Sequence, residues 1–259
     1  HKHVPMVEIN PIEGLKNNVL STLFLAQMAQ KFNIDKFTLI SSDKAVRPTS
    51  IMGASKRVSE LIIESFSNKN DINENTLEDK KTIFSMVRFG NVLNSSGSVI
   101  PLFKSQIAKG GPITITHPEI TRYFMTIPEA IELVLQSSSI SKGGEIFLID
   151  MGESIKISEL AKQLISLSGY KFKDENNEGD IEIIYTGLRP GEKLYEELLI
   201  DDKSIPSGNK NIYYAKEQYL EYKELIHMTT DLKNSINQLD LSSTIKILEE
   251  HVSGFKYSS

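Results

Sequence analysis

Short unbroken apolar runs alternate with amphipathic stretches along most of this chain, and that alternation constrains its fold more than any other feature. Phe37-Thr38-Leu39-Ile40, residues 82–87, Ile113-Thr114-Ile115-Thr116, 144–150 and 181–185 have the length and the β-branched or apolar content of strands. Between them, residues 99–109, 128–137 and 157–168 carry helical stripes, and the stretch 12–32 places Leu15, Val19, Leu23, Ala26 and Phe32 along one helix. Continuous apolar strands that alternate with helices predict an α/β fold whose parallel sheet is covered on both faces.

The punctuation agrees. Pro48 keeps Arg47 out of a helix, and Thr49 or Ser50 can cap the helix that runs through Met52, Lys56, Val58, Leu61, Ile62 and Phe66. Gly110-Gly111-Pro112 is a breaker, residues 67–81 and 171–180 read as polar surface loops, and the first of these is the expected place for disorder. Residues 1–11 read as the end of a loop, and from Leu220 onward the pattern is mainly helical. The chain shows no internal repeat.

Composition bounds the function classes. With 259 residues, 39% hydrophobic and 24% charged, the chain suits one compact domain or two small ones. A formal charge of −5 argues against bulk nucleic-acid binding. There is no cysteine, hence no disulfide framework and no thiolate metal site, which fits a cytoplasmic location. No apolar run approaches the ~18 residues of a membrane span, and no signal-type stretch opens the sequence, so the polypeptide as given is expected to be soluble. The histidines at 1, 3, 117, 227 and 251 have no metal spacing beyond His1-x-His3, and no metal site is expected.

None of the 15 glycines falls into Gly-x-Gly-x-x-Gly after a strand, so the turn that holds a dinucleotide pyrophosphate is not in this sequence. Ser42-Asp43-Lys44 lies just past a buried strand, where open α/β sheets bind ligands. Asp43 and Lys44 are an acid and a base side by side; the plainer alternative is a solvated loop pair. Met52 and Lys56 share one helical face. Met52 is read as apolar packing. A lysine near a second ammonium would titrate lower, toward ~7–8, where a general base works. Arg88-Phe89-Gly90-Asn91 ends the next strand, so Asn91 is either a crevice residue or a turn Asn. Gly97-Ser98-Val99-Ile100-Pro101 is either a phosphate- or base-binding helix start or a plain helix entry. Arg122 and Arg189, each placed after a strand, suit a diphosphate clamp with Glu192 on a ribose diol, or else surface ion pairs.

Taken in order, the motifs resemble the nucleotide-sugar 4,6-dehydratases of capsule, flagellin and protein-glycan biosynthesis, within the extended short-chain dehydrogenase/reductase superfamily. They are Lys2-His3-Val4-Pro5, Asn10-Pro11, Asn18-Val19, Ser42-Asp43-Lys44-Ala45, Met52-Gly53-Ala54-Ser55-Lys56 and Val87-Arg88-Phe89-Gly90-Asn91-Val92. Gly97 to Phe103, Thr121 to Thr126, Gly144-Glu145-Ile146-Phe147 and Arg189-Pro190-Gly191-Glu192-Lys193-Leu194 continue the series. The resemblance covers residues 1 to about 200. It implies an incomplete Rossmann-type parallel sheet, the C-terminal half, with a smaller α/β substrate region and a helical tail. The expected boundaries are 1–97 for the Rossmann-type half, 98–200 for the substrate region with about 122–150 returning to the sheet, and 201–259 for the mainly helical tail.

The chemistry implied by the resemblance is oxidation at C4 of UDP-N-acetylglucosamine by tightly held NAD or NADP, loss of water across C5–C6, and reduction at C6. Lys44 would take the C5 proton and Asp43 would protonate the departing C6 hydroxyl. Ser42 would hydrogen-bond near C4, and Lys56 would hold the cofactor ribose, with Phe89 and Gly90 beside the cofactor. Asn91, Ser98, Val99, Arg122, Arg189 and Glu192 would bind the UDP moiety. Met52 stands where the superfamily has its proton-exchanging Tyr, as in a subgroup of larger enzymes that look membrane-anchored and retain configuration at C5. Asp43, or a water held by Ser42, is then left to take the C4 hydroxyl proton. The absent Gly-rich turn marks the chain as a C-terminal portion not expected to turn over alone. A UDP-sugar C4 epimerase is the alternative enzyme, and a non-catalytic UDP-sugar-binding or assembly module the alternative class. A homo-oligomer through helices 12–32 and 50–66 is expected, with the cytoplasm, or the cytoplasmic face of the inner membrane, as its location.

Overall fold

The computed structural model describes residues 1–72, 81–174, 176, 178–199, 204–217 and 219–257. Along the chain come α1 (Val4–Ile9), α2 (Pro11–Leu15), a π-helical turn (Lys16–Leu20), α3 (Ser21–Lys31), β1 (Lys36–Ile40), a 3₁₀ turn (Asp43–Ala45) and α4 (Ile51–Ile72). Then follow β2 (Ile83–Arg88), β3 (Asn91–Val92), α5 (Val99–Ala108), β4 (Ile113–Ile115), β5 (Thr121–Arg122), β6 (Phe124–Met125) and α6 (Ile127–Ile140). The remainder is β7 (Ile146–Ile149), β8 (Ile155–Lys156), α7 (Ile157–Leu167), β9 (Ile183–Tyr185), β10 (Ile205–Pro206), β11 (Ile212–Ala215), α8 (Tyr222–Asn237) and α9 (Leu241–His251). The chain divides into two compact units, residues 1–89, 132–150 and 197–259 in the first and 90–131 and 151–196 in the second.

In the first unit a five-stranded sheet runs in the order β1-β2-β7-β11-β10. β1, β2 and β7 are parallel, with Leu39 opposite Met86 and Met86 opposite Ile146, as the alternating pattern requires. β11 lies antiparallel to β7, and β10 antiparallel to β11. Its core gathers Val58, Ile62, Phe66, Phe84, Met86, Ile146 and Leu148 with Leu225, Met228 and Leu232 of α8. The second unit has a separate core of Phe103, Ile107, Ile113, Ile115, Ile120, Ile157, Ala161 and Ile165. Three two-stranded pairings, β3-β6, β4-β9 and β5-β8, surround it.

Several expectations change. Residues 4–9 are helix rather than loop, because Pro5 falls in the first turn, where its missing N–H costs nothing. α4 continues to Ile72, so residues 67–72 of the expected surface loop are helix, and residues 73–80 lie outside the described residues. β1 is at the edge of the described sheet and is part-exposed, not covered on both faces. The expected helical tail at 201–259 includes β10 and β11, which join the main sheet. Every residue from 51 to 67 except Lys56 is buried within the first unit, so the expected partner surface at 50–66 is already covered; α3 leaves Phe24 and Leu25 exposed. Among the described residues, no helix is long and apolar enough to cross a membrane.

A buried charge cluster ties the first unit together at the end of β2. Arg88 is fully buried, and its guanidinium uses all its N–H groups. Nε donates to Glu60 Oε1 at 2.7 Å and Nη2 to Glu60 Oε2 at 2.7 Å. Nη1 and Nη2 donate to the Glu217 carboxylate at 2.7 and 2.9 Å, and Nη1 also reaches the Leu198 carbonyl at 3.4 Å. Arg57 adds pairs to Glu60 at 2.9 Å, Glu217 at 3.1 Å and Glu64 at 3.5 Å. Burial alone would raise the Glu60 pKa, but Arg88 and Arg57 overcome it and bring it to about 2. Among the described residues Glu64 has only the longer Arg57 contact; burial, with Glu60 nearby, raises it to about 8. Removing one partner from such a cluster strands a buried charge and costs about 3–5 kcal/mol.

Glu64 therefore makes stability fall with rising pH. Its folded pKa of about 8 exceeds the ordinary 4.5, so its contribution is full below 4.5 and is lost as pH rises through about 8. Glu64→Gln is expected to flatten the stability difference between about pH 5 and 8.5, measured by chemical denaturation, by roughly a few kcal/mol. Parallel pH dependence in the two proteins would contradict the assignment.

Candidate functional site

The residues singled out from the sequence fall into two groups, one in each unit. In the first unit β1 ends at Ile40, and the chain stays beside β2 for three more residues. Ser41 N–H donates to the Val87 carbonyl at 2.8 Å and Asp43 N–H to the Phe89 carbonyl at 3.3 Å. Ser42 then caps the 3₁₀ turn, its Oγ accepting from Lys44 N–H at 3.3 Å and donating to Asp43 Oδ1 at 2.8 Å. Lys44 Nζ lies 2.9 Å from the same Oδ1, with its side chain 21% exposed against 1% for Asp43. Asp43 Oδ2 is buried with no hydrogen-bond partner among the described residues. A buried carboxylate oxygen left without a donor departs from the usual satisfaction of buried polar atoms. Such departures concentrate where a group has chemistry to perform.

Helix α4 starts against this turn. Gly53 N–H donates to Ser50 Oγ at 3.1 Å and Ile51 N–H to Glu8 Oε1 at 2.7 Å, so two side chains cap it. A Cβ at Gly53 would collide with the Lys44 carbonyl, and this close approach is why the Met52-Gly53 pair needs its glycine. Met52 is buried in the core, 1% exposed, as apolar packing. Asn18 Nδ2 donates to Ser55 Oγ at 2.8 Å, which fixes the same helix from the π-helical turn. Lys56 Nζ donates to the Ile40 carbonyl at 3.3 Å. Burial lowers the Lys56 pKa, and the Glu60 carboxylate partly offsets that.

The second unit holds the other group. Gly90 N–H points at Met151 Sδ, 2.8 Å away, and Asn91 N–H donates to the Tyr123 carbonyl at 3.0 Å within the β3-β6 pairing. Ser98 precedes α5 with extended backbone; its Oγ is buried and has no hydrogen-bond partner among the described residues, and Val99 packs on the unit's core.

Arg122 lies within β5 rather than after a strand, and its guanidinium turns inward. Nη1 donates to the carbonyls of Thr121 and Leu194 at 2.7 and 3.2 Å, and Nη2 to that of Lys193 at 2.7 Å. Glu192 and Glu196 each stand 3.6 Å from it. Glu192 also closes the turn that begins at Arg189, its carboxylate accepting from Thr116 Oγ1 at 3.0 Å and Arg189 N–H at 3.2 Å. Arg122 and Glu192 thus brace residues 189–194, while the Arg189 side chain is exposed and forms no ion pair among the described residues. The matched arginine clamp expected from the sequence is in this structure one brace and one exposed guanidinium. Arg88 and Glu60 carried no role in the sequence reading. The signal was a charged residue closing an otherwise apolar strand, with Glu60 and Glu64 one turn apart on a helix of apolar face.

A family profile described as "Polysaccharide biosynthesis protein" matches residues 1–217. The capsular polysaccharide biosynthesis protein CapD of Staphylococcus aureus is 49% identical over 239 residues, which are 92% of this chain and 37% of that protein. This chain therefore spans little more than a third of that relative's length. A UDP-glucose 4-epimerase of Rickettsia canadensis is 32% identical, with 95% of this chain and 71% of the relative aligned. The crystal structure of Pen from Bacillus thuringiensis superimposes with a TM-score of 0.72 at 32% identity, covering 86% of this chain and 66% of that one.

Gly53→Ala is expected to lower stability by about 1–3 kcal/mol through overpacking against the Lys44 carbonyl. Denaturant unfolding measures it, and unchanged stability would contradict the close approach.

Proposed function

This chain belongs to the polysaccharide biosynthesis protein family, among the nucleotide-sugar epimerases and dehydratases of the short-chain dehydrogenase/reductase superfamily, and from that premise we propose its reaction. It carries the proton-transfer and nucleotide-binding residues of an NAD(P)-dependent UDP-N-acetylglucosamine 4,6-dehydratase that retains configuration at C5. The product is a UDP-4-keto-6-deoxy sugar for a surface polysaccharide or protein glycan. One observation carries the reading: a lysine amine 2.9 Å from a buried aspartate whose second oxygen has no partner among the described residues.

Elimination next to a C4 ketone needs a base for the C5 proton and an acid for the C6 hydroxyl, whereas C4 epimerisation needs neither at those carbons. Lys44 takes the C5 proton; the freed electron pair forms the C5–C6 double bond. Asp43 gives its proton to the C6 oxygen, which leaves as water. Ser42, bonded to Oδ1, keeps the carboxyl group in one orientation. Met52 carries a thioether and exchanges no proton, so Asp43 or a water held by Ser42 receives the C4 hydroxyl proton.

A bound nicotinamide dinucleotide would supply the redox change at C4 and C6. Lys56, Ser42, Phe89 and Gly90 are the residues of this chain that would hold it. The fit is good at Lys56, whose ammonium uses one N–H on the Ile40 carbonyl and keeps donors for a ribose hydroxyl. For the UDP moiety, Arg189 supplies the guanidinium, Arg122 and Glu192 shape its turn, and Asn91, Ser98 and Val99 contact the nucleoside. The similarity to a UDP-glucose 4-epimerase supports a UDP-sugar substrate and makes epimerisation the competing outcome.

Incubating the full-length polypeptide with UDP-N-acetylglucosamine and NAD⁺ or NADP⁺ is expected to yield a product lighter by about 18 mass units. An isomer of unchanged mass would make the protein an epimerase. Lys44→Ala is expected to lower the turnover number at least ~100-fold while UDP affinity stays within about threefold. Normal turnover in that variant excludes Lys44 as the base. Arg189→Ala is expected to weaken UDP binding by about tenfold, and unaltered affinity would remove it from the nucleotide site.

A further inference from the structure

We propose that Glu60 is a positioning residue for the Ser42–Lys44 segment, acting through the Ser41 hydroxyl. The inference rests on the reading of Asp43 and Lys44 as proton-transfer groups, a reading that assigns Glu60 no part. Ser41 Oγ donates to Glu60 Oε1 at 2.6 Å, one residue before the segment begins. One turn earlier on α4, Lys56 Nζ donates to the Ile40 carbonyl at 3.3 Å. Two residues at helical spacing thus hold two consecutive residues at the end of β1.

Glu60 is suited to this because it has no freedom of its own. It is fully buried, and the Arg88 fork at 2.7 and 2.7 Å fixes both carboxylate oxygens. The strand end is also tied to the β2 side by the backbone bonds of Ser41 to Val87 and Asp43 to Phe89, and the second is long at 3.3 Å. The Ser41 hydroxyl is therefore the strong side-chain anchor upstream of Asp43. The Arg88–Glu60–Glu217 cluster is complete without it, since each guanidinium N–H already has an acceptor. The bond to Ser41 is an addition whose beneficiary is the strand end. The same carboxylate acts electrostatically on Lys56, supporting its charged form against burial.

Ser41→Ala in the full-length protein tests this, because it removes the hydroxyl and leaves the Arg88–Glu60 pair intact. Amide hydrogen exchange across residues 42–46 is expected to speed up about tenfold, while amides in the middle of α4 and in β7 keep their protection. The turnover number is expected to fall about tenfold or more with the KM for the UDP-sugar within about twofold, as for a misplaced proton-transfer group. Ser41→Thr, which returns a hydroxyl, is expected to restore both. Wild-type protection of 42–46 in Ser41→Ala, or a loss spread evenly over the first unit, overturns the proposal. If the wild-type protein forms no keto product, the dehydratase reading fails, and the exchange comparison still decides the positioning.

Discussion

A fully buried guanidinium at the end of a central strand must have every N–H accepted, and the first unit is arranged around meeting that demand for Arg88. Meeting it fixes Glu60 on α4, Glu217 after β11 and the Leu198 carbonyl relative to β2. Apolar packing of β2 and β7 against α4 and α8 would tolerate sliding of a helix along the sheet. A bidentate pair does not, because both N–H···O bonds are lost together when the planes shift. Specific register is what a costly buried cluster can provide beyond stability, and here it sets the helix that carries Gly53, Lys56 and Glu60.

The consequence is a short segment held unusually well for a loop. Residues 41–45 are tied by backbone bonds to β2, by the Ser42 cap, by the Lys44 carbonyl pressed on Gly53 and by the Ser41 hydroxyl. Within it, Asp43 is buried deeper than its lysine partner, and its second oxygen has no hydrogen-bond partner among the described residues. Held this way, the proton-transfer groups proposed above would need little reorganisation at the moment of reaction. In the second unit the same economy appears in another form. Arg122 is committed to bracing the 189–194 turn, whereas the Arg189 side chain is exposed and forms no ion pair among the described residues.

Much of this was legible in the residues. The strands at 36–40, 83–88 and 146–149 were marked by continuous apolar runs, and the α4 start by Pro48 and Ser50, because those signals are local. Residues 1–11 read as the end of a loop, yet Pro5 sits in the first turn of a helix, a position proline suits. β10 and β11 were hidden because an antiparallel strand at the edge of a mostly parallel sheet has no helix before it to announce it. Arg122 looked like a ligand-binding cation because its acceptors are carbonyls of residues 193 and 194, and no sequence pattern encodes where a distant carbonyl points. The Asp43–Lys44 pair was visible as a dipeptide; that one oxygen of Asp43 would be buried without a partner was not.

The chemical claim underlying all of this is that a solvent-exchangeable base of this chain removes the proton at C5. Running the reaction of the full-length protein in deuterated water tests it most directly. The account predicts a UDP-4-keto-6-deoxy sugar carrying deuterium at C5. A keto product with protium only at C5, or a sugar whose mass shows neither dehydration nor deuterium uptake, would contradict it.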